Sequence, residues 1–572
     1  MLEKNIEKII RVARGLEKAD LVIKNANIIN VLSEDIHEGD IAIADGVIAG
    51  IGDDYRGFQE IDIKGAYVSP SFIDGHVHLE SSMLLPSEFA KAVVPSGTTT
   101  VIMDPHEISN VLGLQGISFM REAVQGLPMD VYTMLPSCVP STPYETSGFD
   151  LNSYDLSLLI DKSWVLGIAE MMNFPGVLDL DKGVMAKLKL AKSKNKRIDG
   201  HAPYLKDKDL CAYIASGITS DHECTTPEEA NEKLRKGMYI MIREGSAAKD
   251  LEALIPVLLE KNTRKCIFVT DDRHPEDLQD HINSMVRTAV KAGVSPIKAI
   301  QMASLNTAEY FKLQNLGAIA PGYKADFVVL PDLQEFKPEL VFKKGKLVAV
   351  NGKLIADIAQ EEIPAVRGSV NVKWIKYEDF QIKAKSDTVN AIEVIPGQLI
   401  TKSVDSKIKI VDELAESNIE TDTLKICVIE RHRAGGNIGK GFVKGYTLKS
   451  GAIASTVAHD SHNMIVIGTN DDDMYTAAVE LIKSQGGKIV VKDKQVLAHL
   501  PLPIAGLISD KDFDTVIKKS MELNSAAKEI GCKIDDPFMA MGFLSLPVIP
   551  EIKITDKGLF DVTKFEFIDI FK

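Results

Sequence analysis

The sequence predicts an α/β protein in which a metal-dependent (β/α)8 barrel carries a flanking composite β-sandwich and an additional C-terminal α+β domain. First, 572 residues are too many for a single hydrophobic core. Second, short apolar runs alternate with helical stretches over residues 68–313, as they do in βα units. Third, several of these runs end in histidines and carboxylates, at the position where a barrel of parallel strands carries its ligands and catalytic groups.

The segments on either side of the barrel have the pattern of short strands separated by turns. Residues 20–67 contain three stretches of alternating apolar and polar residues, with Asn, Asp and Gly between them. The same pattern returns in residues 314–373. We therefore expect residues 1–67 to form an N-terminal helix and the first part of a β-sandwich, and residues 314–373 to complete that sandwich.

The central region contains eight candidate strands, whose starts are spaced by roughly one βα unit. They cover residues 68–78, 99–107, 130–138, 164–172, 196–203, 217–223, 238–245 and 266–274. Eight units in about 245 residues match the usual size of a (β/α)8 barrel. Residues 374–572 mix helical and strand-like stretches, which predicts the C-terminal α+β domain.

Composition and charge exclude several classes of partner. A net charge of -15 leaves no excess of cations to displace counterions from a nucleic-acid backbone. No apolar run approaches the ~18 residues that span a bilayer. The N-terminal stretch lacks the apolar segment of a signal peptide, and the six scattered cysteines form no C-x-x-C pair. We expect a cytoplasmic protein with reduced thiols and a small-molecule substrate, and neither a nucleic-acid nor a membrane partner.

Polar clusters at the ends of the candidate strands predict a metal site. His76 and His78 alternate on the first strand, so both imidazoles can face the barrel mouth. His201 and His222 end the fifth and sixth strands, and Asp271 ends the eighth. Imidazole and carboxylate ligands suit Zn, Fe or Mn, and the lack of a Cys ligand argues against a purely structural zinc site.

Glu170 ends the fourth strand and offers a carboxylate at the level needed to bridge two ions. Four histidines and two carboxylates are more ligands than one ion requires, which favours two divalent ions that share a hydroxide. Asp272 could replace Asp271, because consecutive strand residues face opposite sides, although the sequence favours Asp271. The predicted metal ligands are His76, His78, Glu170, His201, His222 and Asp271.

Several motifs resemble those of the amidohydrolase superfamily, which pairs a (β/α)8 barrel with a β-sandwich. The segment PSFIDGHVH at residues 70–78, followed by the later histidines and Asp271, carries this resemblance. Within the superfamily, the chain resembles the bacterial and archaeal adenine deaminase family from about residue 20 onward. The motifs are HLESS (78–82), MDPHE (103–107), GIAEMMN (167–173), DGHAP (199–203), TDDR (270–273) and AHDSHN (458–463).

The resemblance implies hydrolytic deamination of adenine to hypoxanthine and ammonia in purine salvage and adenine catabolism, by a metal-bridged hydroxide that attacks C6. It also implies a bridging Glu170 with manganese or iron, zinc being possible. Asp271 would transfer the proton, with His222 and Glu170 as the other catalytic residues. A homodimer is expected for such a chain.

The main alternative is another binuclear amidohydrolase that acts on a cyclic amide or an N-acyl substrate. Many such enzymes bridge their metals with a carboxylated lysine on the fourth strand, where this chain has Glu170 and no lysine. A catalytically silent barrel that serves as a scaffold is a third hypothesis, but the complete ligand set disfavours it.

Further polar residues near the predicted barrel mouth are candidates for substrate binding. Asp104, His106 and Glu107 follow the second strand, where they could bind purine nitrogens or support the metal ligands. For Asp104, the cap of a following helix is an equally good interpretation. Glu80, just past the histidine pair, and Asp272 complete this group of candidates.

A second histidine cluster lies in the C-terminal region. His459 and His462 are three residues apart, with Asp460 and Asn463 beside them. Three interpretations stay open for this cluster: a substrate-binding wall of the active site, an accessory metal site, or a polar structural network.

Overall fold

The computed structural model describes residues 5–260, 262–358, 366–395 and 398–572. The first four residues of the predicted N-terminal helix lie outside this part of the chain. Helix α1 spans Ile6–Ala13, and the Asn5 side chain caps it by accepting a hydrogen bond from the Lys8 backbone N–H at 3.1 Å. Five strands follow: β1 Ala19–Asn30, β2 Asp35–Ala44, β3 Val47–Gly52, β4 Gly57–Asp62 and β5 Tyr67–Pro70.

Eight parallel strands form the barrel and correspond one to one with the segments predicted from the sequence, although the second begins one residue before its segment, at Thr98. They are β6 Phe72–Val77, β7 Thr98–Met103, β8 Asp130–Leu135, β9 Val165–Met171, β10 Arg197–Gly200, β11 Ser220–Asp221, β12 Tyr239–Arg243 and β13 Cys266–Val269. Strands β6–β10 form one hydrogen-bonded run and β11–β13 another. Backbone hydrogen bonds from Thr219 to Ile198 (3.3 Å) and from Asp271 to His76 (3.0 Å) join the two runs into a closed ring.

Helices connect the barrel strands, as the alternating pattern predicts. They are α2 Pro86–Val93, α3 His106–Leu112, α4 Leu114–Ala123, α5 Ser153–Ser157, α6 Phe174–Leu178, α7 Lys182–Ser193, α8 Asp207–Ala215, α9 Pro227–Arg235, α10 Leu251–Glu260, α11 Ile282–Lys291, α12 Pro296–Met302 and α13 Leu305–Tyr310. Inside the ring, buried apolar side chains from six of the strands pack together and close the barrel below the polar strand ends. They are Ile73, Ile102, Met134, Ala169, Met241 and Ile267.

After the barrel the chain returns to its first sheet. Strands β14 Phe327–Leu330, β15 Leu340–Lys343, β16 Lys346–Val350 and β17 Lys353–Leu354 join β1–β5 in one nine-stranded sheet, with β14 antiparallel to β5. Apolar residues from both parts share one core, which includes Ile28 and Ile43 from the first part and Phe327 and Phe342 from the second. The composite β-structure predicted on the two flanks therefore forms one continuous sheet.

The first predicted strand, residues 68–78, is divided between this sheet and the barrel. Val68 and Ser69 lie in β5 and pair with β14, whereas β6 begins at Phe72 and pairs with β7. Ser71 lies between them, and its hydroxyl hydrogen-bonds to that of Thr99 at 2.6 Å. The sequence could not reveal this division, because a continuous strand-forming run does not show to which sheet each half belongs.

The C-terminal part of the chain is an α+β unit. Its strands are β18 Thr388–Val394, β19 Thr401–Lys407, β20 Lys409–Val411, β21 Leu414–Glu416, β22 Leu424–Ile429, β23 Ile438–Lys444, β24 Ala452–Ser455, β25 Met464–Gly468, β26 Gly487–Lys492, β27 Gln495–Pro501, β28 Ile552–Thr555, β29 Gly558–Asp561 and β30 Glu566–Phe567. Its helices are α14 Asp471–Lys483, α15 Phe513–Glu529 and α16 Pro537–Gly542. Eight of these strands form one sheet in the order β19-β18-β23-β22-β25-β24-β26-β27. Gly439 in β23 is required, since a Cβ there would lie 1.8 Å from the Thr555 carbonyl oxygen.

Two observations bear on the environment of the chain. Within the described ranges, no helix combines the length and the apolar character that crossing a membrane demands. All six cysteines are free thiols, and only Cys211 among them is exposed.

Candidate active site

The strand ends of the barrel converge on one cavity. Polar side chains at or just after the ends of seven of the barrel strands line it, together with residues of the C-terminal unit. The barrel supplies His78, His106, Glu107, Glu170, His201, His222, Glu223, Arg243, Asp271 and Asp272. His76 is buried directly behind them, with its ring stacked on that of His222 at a centroid distance of 4.5 Å.

Glu170 lies between two pairs of histidines. Its Oε1 atom is 3.3 Å from His78 Nε2 and 3.7 Å from His76 Nε2. Its Oε2 atom is 2.7 Å from His201 Nδ1 and 3.2 Å from His222 Nε2. One carboxylate thus presents a separate oxygen to each imidazole pair, which is the arrangement that a carboxylate bridging two ions requires.

Asp271, rather than Asp272, faces the first histidine pair. Its Oδ1 atom is 3.1 Å from His78 Nε2 and 3.8 Å from His76 Nε2. The Asp272 carboxylate instead accepts a hydrogen bond from the Ser81 hydroxyl. Asp271 has a φ of 60°, a left-handed conformation that Asp adopts more readily than most residues and that turns its side chain toward the histidines.

The residues of this cluster fit a divalent metal. Among the residues that the structure describes, the buried Nε2 atom of His76 finds no hydrogen-bond partner, although carboxylate oxygens of Glu170 and Asp271 lie 3.7 and 3.8 Å away. Such an orphaned nitrogen among carboxylates needs a partner, and a cation would supply one. Burial and the charges of neighbouring histidines lower the pKa of His76, so its imidazole is held in the neutral form that binds metals. The donor atoms of His76, Glu170 and His222, and those of His76, His78 and Asp271, lie within 4.8 Å of one another.

The residues after the second barrel strand support the histidines. The Asp104 backbone carbonyl lies 3.0 Å from His78 Nδ1, and its side chain lies 3.0 Å from His106 Nδ1. Asp104 therefore orients both rings. It does not cap helix α3, whose N-cap residue is Pro105 without a side-chain hydrogen bond, so the helix-cap interpretation was wrong.

Glu107 joins the barrel to the C-terminal unit. His459 Nδ1 lies 2.7 Å from its Oε1 atom, and His462 Nε2 hydrogen-bonds to its Oε2 atom. His459 and Asp460 line the cavity, whereas His462 holds Glu107 from behind. Of the three interpretations of this cluster, the structure favours a wall of the cavity, with His462 as its structural support.

The imidazoles of His459 and His462 have very different pKa values. Burial lowers the pKa of His459, but the charge and hydrogen bond of Glu107 outweigh burial and raise that pKa to about 9. Burial lowers the pKa of His462 to about 4, because Glu107 offsets it only in part and His459 adds a repelling charge. Glu107 is thus a carboxylate beside one protonated imidazole and one neutral imidazole.

Three predicted substrate-binding residues do not line the cavity. These are Glu80, Asp104 and His462, all of them buried. The Glu80 carboxylate accepts a hydrogen bond from the Ile108 backbone N–H at 3.1 Å, so it satisfies the first turn of α3 instead. The predicted residues that do line the cavity are His106, Glu107, Asp272 and His459.

Glu223 and Arg243 line the cavity and were missed from the sequence. Glu223 Oε1 lies 3.4 Å from His222 Nε2 and 3.6 Å from His201 Nδ1. Glu223 directly follows a predicted ligand, and Arg243 ends the apolar seventh strand. Both positions lie at strand ends of the barrel, so the sequence could have indicated both as site residues. No residue of that strand was among the candidates predicted from the sequence.

The C-terminal unit supplies the apolar side of the cavity. Leu399, Phe543, Leu546 and Ile549 line the cavity together with the polar strand ends. The Phe543 ring stacks on His459 at a centroid distance of 4.4 Å and an interplanar angle of 9°. No local pattern predicts this wall, because its residues reach the barrel only through the tertiary fold.

A closed (β/α)8 barrel with this set of histidines and carboxylates at its strand ends, beside a composite β-sheet, defines an amidohydrolase. Residues 67–348 match the model of the amidohydrolase family, and residues 398–566 match that of the adenine deaminase C-terminal domain.

Relatives that match nearly the whole chain show which amidohydrolase family it belongs to. The chain is 49% identical to adenine deaminase 2 of Carboxydothermus hydrogenoformans, over 99% of this chain and 100% of that protein. It is 48% identical to the adenine deaminase of Halalkalibacterium halodurans, over 99% of this chain and 98% of that protein. The chain therefore belongs to the adenine deaminase family.

Among solved structures, the L-hydantoinase (dihydropyrimidinase) from Arthrobacter aurescens is 16% identical with a TM-score of 0.47, covering 59% of this chain and 98% of that one.

Proposed function

We propose that this protein hydrolytically deaminates adenine, giving hypoxanthine and ammonia. The observation that carries the proposal is the position of the Glu170 carboxylate, which presents one oxygen to each of two histidine pairs in a cavity lined by histidines and carboxylates. Family membership over nearly the whole chain supports adenine as the substrate.

The site would hold two divalent ions, manganese or iron, with zinc as the alternative. One ion would bind among His76, His78 and Asp271, the other between His201 and His222, and Glu170 would bridge them. When bound, the ions supply positive charge that polarises a water molecule and lowers its pKa toward neutrality.

Asp271 is the residue that moves the proton. Its Oδ1 atom faces the histidine pair, while Arg243 holds its Oδ2 atom at 3.2 Å. Water adds its oxygen to C6 of adenine while the electron pair of the C6=N1 bond moves onto N1, and Asp271 accepts the proton that the water loses. Asp271 then delivers that proton to the exocyclic nitrogen as the C6–N bond breaks and the electron pair on N1 re-forms the double bond, so that ammonia leaves. The proton of the remaining C6 hydroxyl moves to N1, which gives hypoxanthine. His222 orients Glu170 and contributes electrostatic stabilisation.

The remaining cavity residues bind the purine. The carboxylates of Glu107 and Asp272 accept hydrogen bonds from N–H groups of the base, and His106 and protonated His459 donate to ring nitrogens. The apolar wall that contains Phe543 covers the face of the base and excludes water.

We place this activity in the cytoplasm, in purine salvage, with the enzyme acting as a homodimer. The six free thiols are consistent with a reducing compartment.

The test compares substrates directly. Purified protein loaded with manganese is incubated with adenine, with a hydantoin and with an N-acyl amino acid. We expect the ultraviolet spectrum of adenine to shift to that of hypoxanthine, with one ammonia released per base. Opening of the hydantoin or release of the acyl group, without conversion of adenine, would reassign the enzyme to the cyclic-amide or N-acyl hydrolases.

A further inference from the structure

We propose that Arg243 is a positioning residue that ties one carboxylate from each half of the active site to the other, and so sets the separation of the two metal positions. This inference rests on the proposed binuclear site. It concerns Arg243 at the end of the seventh strand, β12, which belongs to none of the sequence motifs and for which only the contact with Asp271 has been described so far.

Arg243 is buried among three carboxylates. Its Nη2 atom donates to Glu223 Oε2 at 3.2 Å, and its Nη1 atom donates to Glu223 Oε1 as well. Nη1 also donates to Asp271 Oδ2 at 3.2 Å, and Nε donates to Asp250 Oδ2 at 2.8 Å. The side chain is 8% exposed. Four of the five N–H groups of the guanidinium are therefore engaged within the protein.

The carboxylates that Arg243 joins belong to different donor groups. Asp271 lies with the first histidine pair, since its Oδ1 atom is 3.1 Å from His78 Nε2. Glu223 lies with the second pair, since its Oε1 atom is 3.4 Å from His222 Nε2. Glu170 connects the same two groups through its own two oxygens. The histidine pairs are thus connected twice, once by a carboxylate and once by a guanidinium.

Only arginine has the geometry for this connection. A planar guanidinium donates in several fixed directions at once, whereas a lysine ammonium is a single point charge on a flexible stem. Loss of the cation would leave Glu223, Asp250 and Asp271 buried beside one another without compensation. We expect their side chains to move apart, and the two donor groups with them.

The test uses manganese as the probe, because two Mn²⁺ ions that share a bridging ligand give a spin-coupled electron paramagnetic resonance spectrum. Arg243→Lys and Arg243→Met are loaded with Mn²⁺ and compared with the wild type for ions bound per chain, manganese affinity and spin coupling. Steady-state kcat and KM for adenine are measured on the same samples. Arg264→Met is the matched control, because Arg264 is 74% exposed and its nearest acid, Glu309, is 3.6 Å away.

For Arg243→Met we expect the spin-coupled spectrum to be lost and manganese affinity to fall about 10–100-fold, the range seen when residues that orient metal ligands are removed. kcat should fall over a similar range, with KM changing less. Arg243→Lys should retain more coupling than the methionine variant and less than the wild type. Arg264→Met should match the wild type in every readout.

Unchanged coupling and affinity in Arg243→Met, with a raised KM, would overturn the proposal and make Arg243 a substrate-binding residue. Circular dichroism shows whether the methionine variant folds. If it does not fold, the same measurements on Arg243→Lys test the proposal. Spin coupling and manganese affinity equal to those of the wild type in Arg243→Lys would then overturn it. A wild-type protein that binds no coupled pair of ions would instead contradict the proposed binuclear site, and so the two failures are distinguishable.

Discussion

At the scale of single residues, the site depends on carboxylates whose two oxygens have different partners. Glu170 shows this most clearly, because replacing it with Gln keeps the size of the side chain but leaves one oxygen in place of two. We expect Glu170→Gln to bind one metal ion fewer per chain and to lose about 100-fold or more in turnover. Metal analysis of the purified variant beside the wild type checks this, and two tightly bound ions in the variant would contradict the bridging role.

The neighbouring aspartates provide a second, internally controlled test. Asp271→Asn should lower kcat about 10²–10⁴-fold, because the amide cannot accept the proton from water. Asp272→Asn should act chiefly on KM, since Asp272 hydrogen-bonds to Ser81 and lines the part of the cavity that we propose binds the base. Steady-state kcat and KM of both variants show which aspartate transfers the proton. A large fall in kcat for Asp272→Asn, with mainly KM changed in Asp271→Asn, would assign proton transfer to Asp272.

Much of the site at this scale could be predicted from the sequence. The histidines and Glu170 close apolar runs, and the barrel geometry brings such positions together. Glu80 was misplaced because proximity in sequence does not show which way a side chain turns, and here it turns toward the N–H groups of α3. Arg243 was not predicted, because an arginine is not a metal ligand and only the tertiary fold shows that it holds the carboxylates beside the ligands.

At the scale of elements, the contact between helix α3 and the segment 456–463 joins the barrel to the C-terminal unit. Its central pair is Glu107 and His459, and Glu107 raises the pKa of His459 to about 9 against the effect of burial. A histidine whose pKa is higher in the folded state stabilises the fold fully below its unfolded value, near 6.5, and this stabilisation is lost as pH rises through about 9.

We therefore expect the wild-type protein to lose stability between pH 6.5 and 9 in a way that a His459→Gln variant does not. The difference in unfolding free energy between the two proteins should shrink over this interval by up to about 3 kcal/mol. Denaturant unfolding at several pH values measures it. Parallel pH profiles for the two proteins would show that His459 is not protonated in the folded state.

The sequence predicts the positions of the strands better than it predicts which other segments they pair with or pack against. Each of the eight barrel strands overlaps its predicted segment, because buried parallel strands are short apolar runs bounded by turns. The run at 68–78 was predicted as one strand and serves two sheets, and the apolar wall around Phe543 was not predicted at all. Both depend on contacts between segments far apart in the chain.

At the scale of the whole molecule, the barrel mouth concentrates buried carboxylates and imidazoles that a divalent cation would compensate. Removal of metal with a chelator should abolish adenine turnover and lower the melting temperature, because a ligand that binds only the folded state stabilises it. Added Mn²⁺ should restore both. A differential scanning calorimetry trace that does not change on chelation would contradict this coupling of metal to the fold.

We propose that two ions, bridged by Glu170 at the mouth of the barrel, are needed to deaminate adenine. The most direct measurement titrates Mn²⁺ into metal-free protein and follows hypoxanthine production at each addition. If both ions are needed, turnover should be low at one equivalent per chain and complete at two. Full turnover at one equivalent, or no hypoxanthine at any metal concentration, would contradict it.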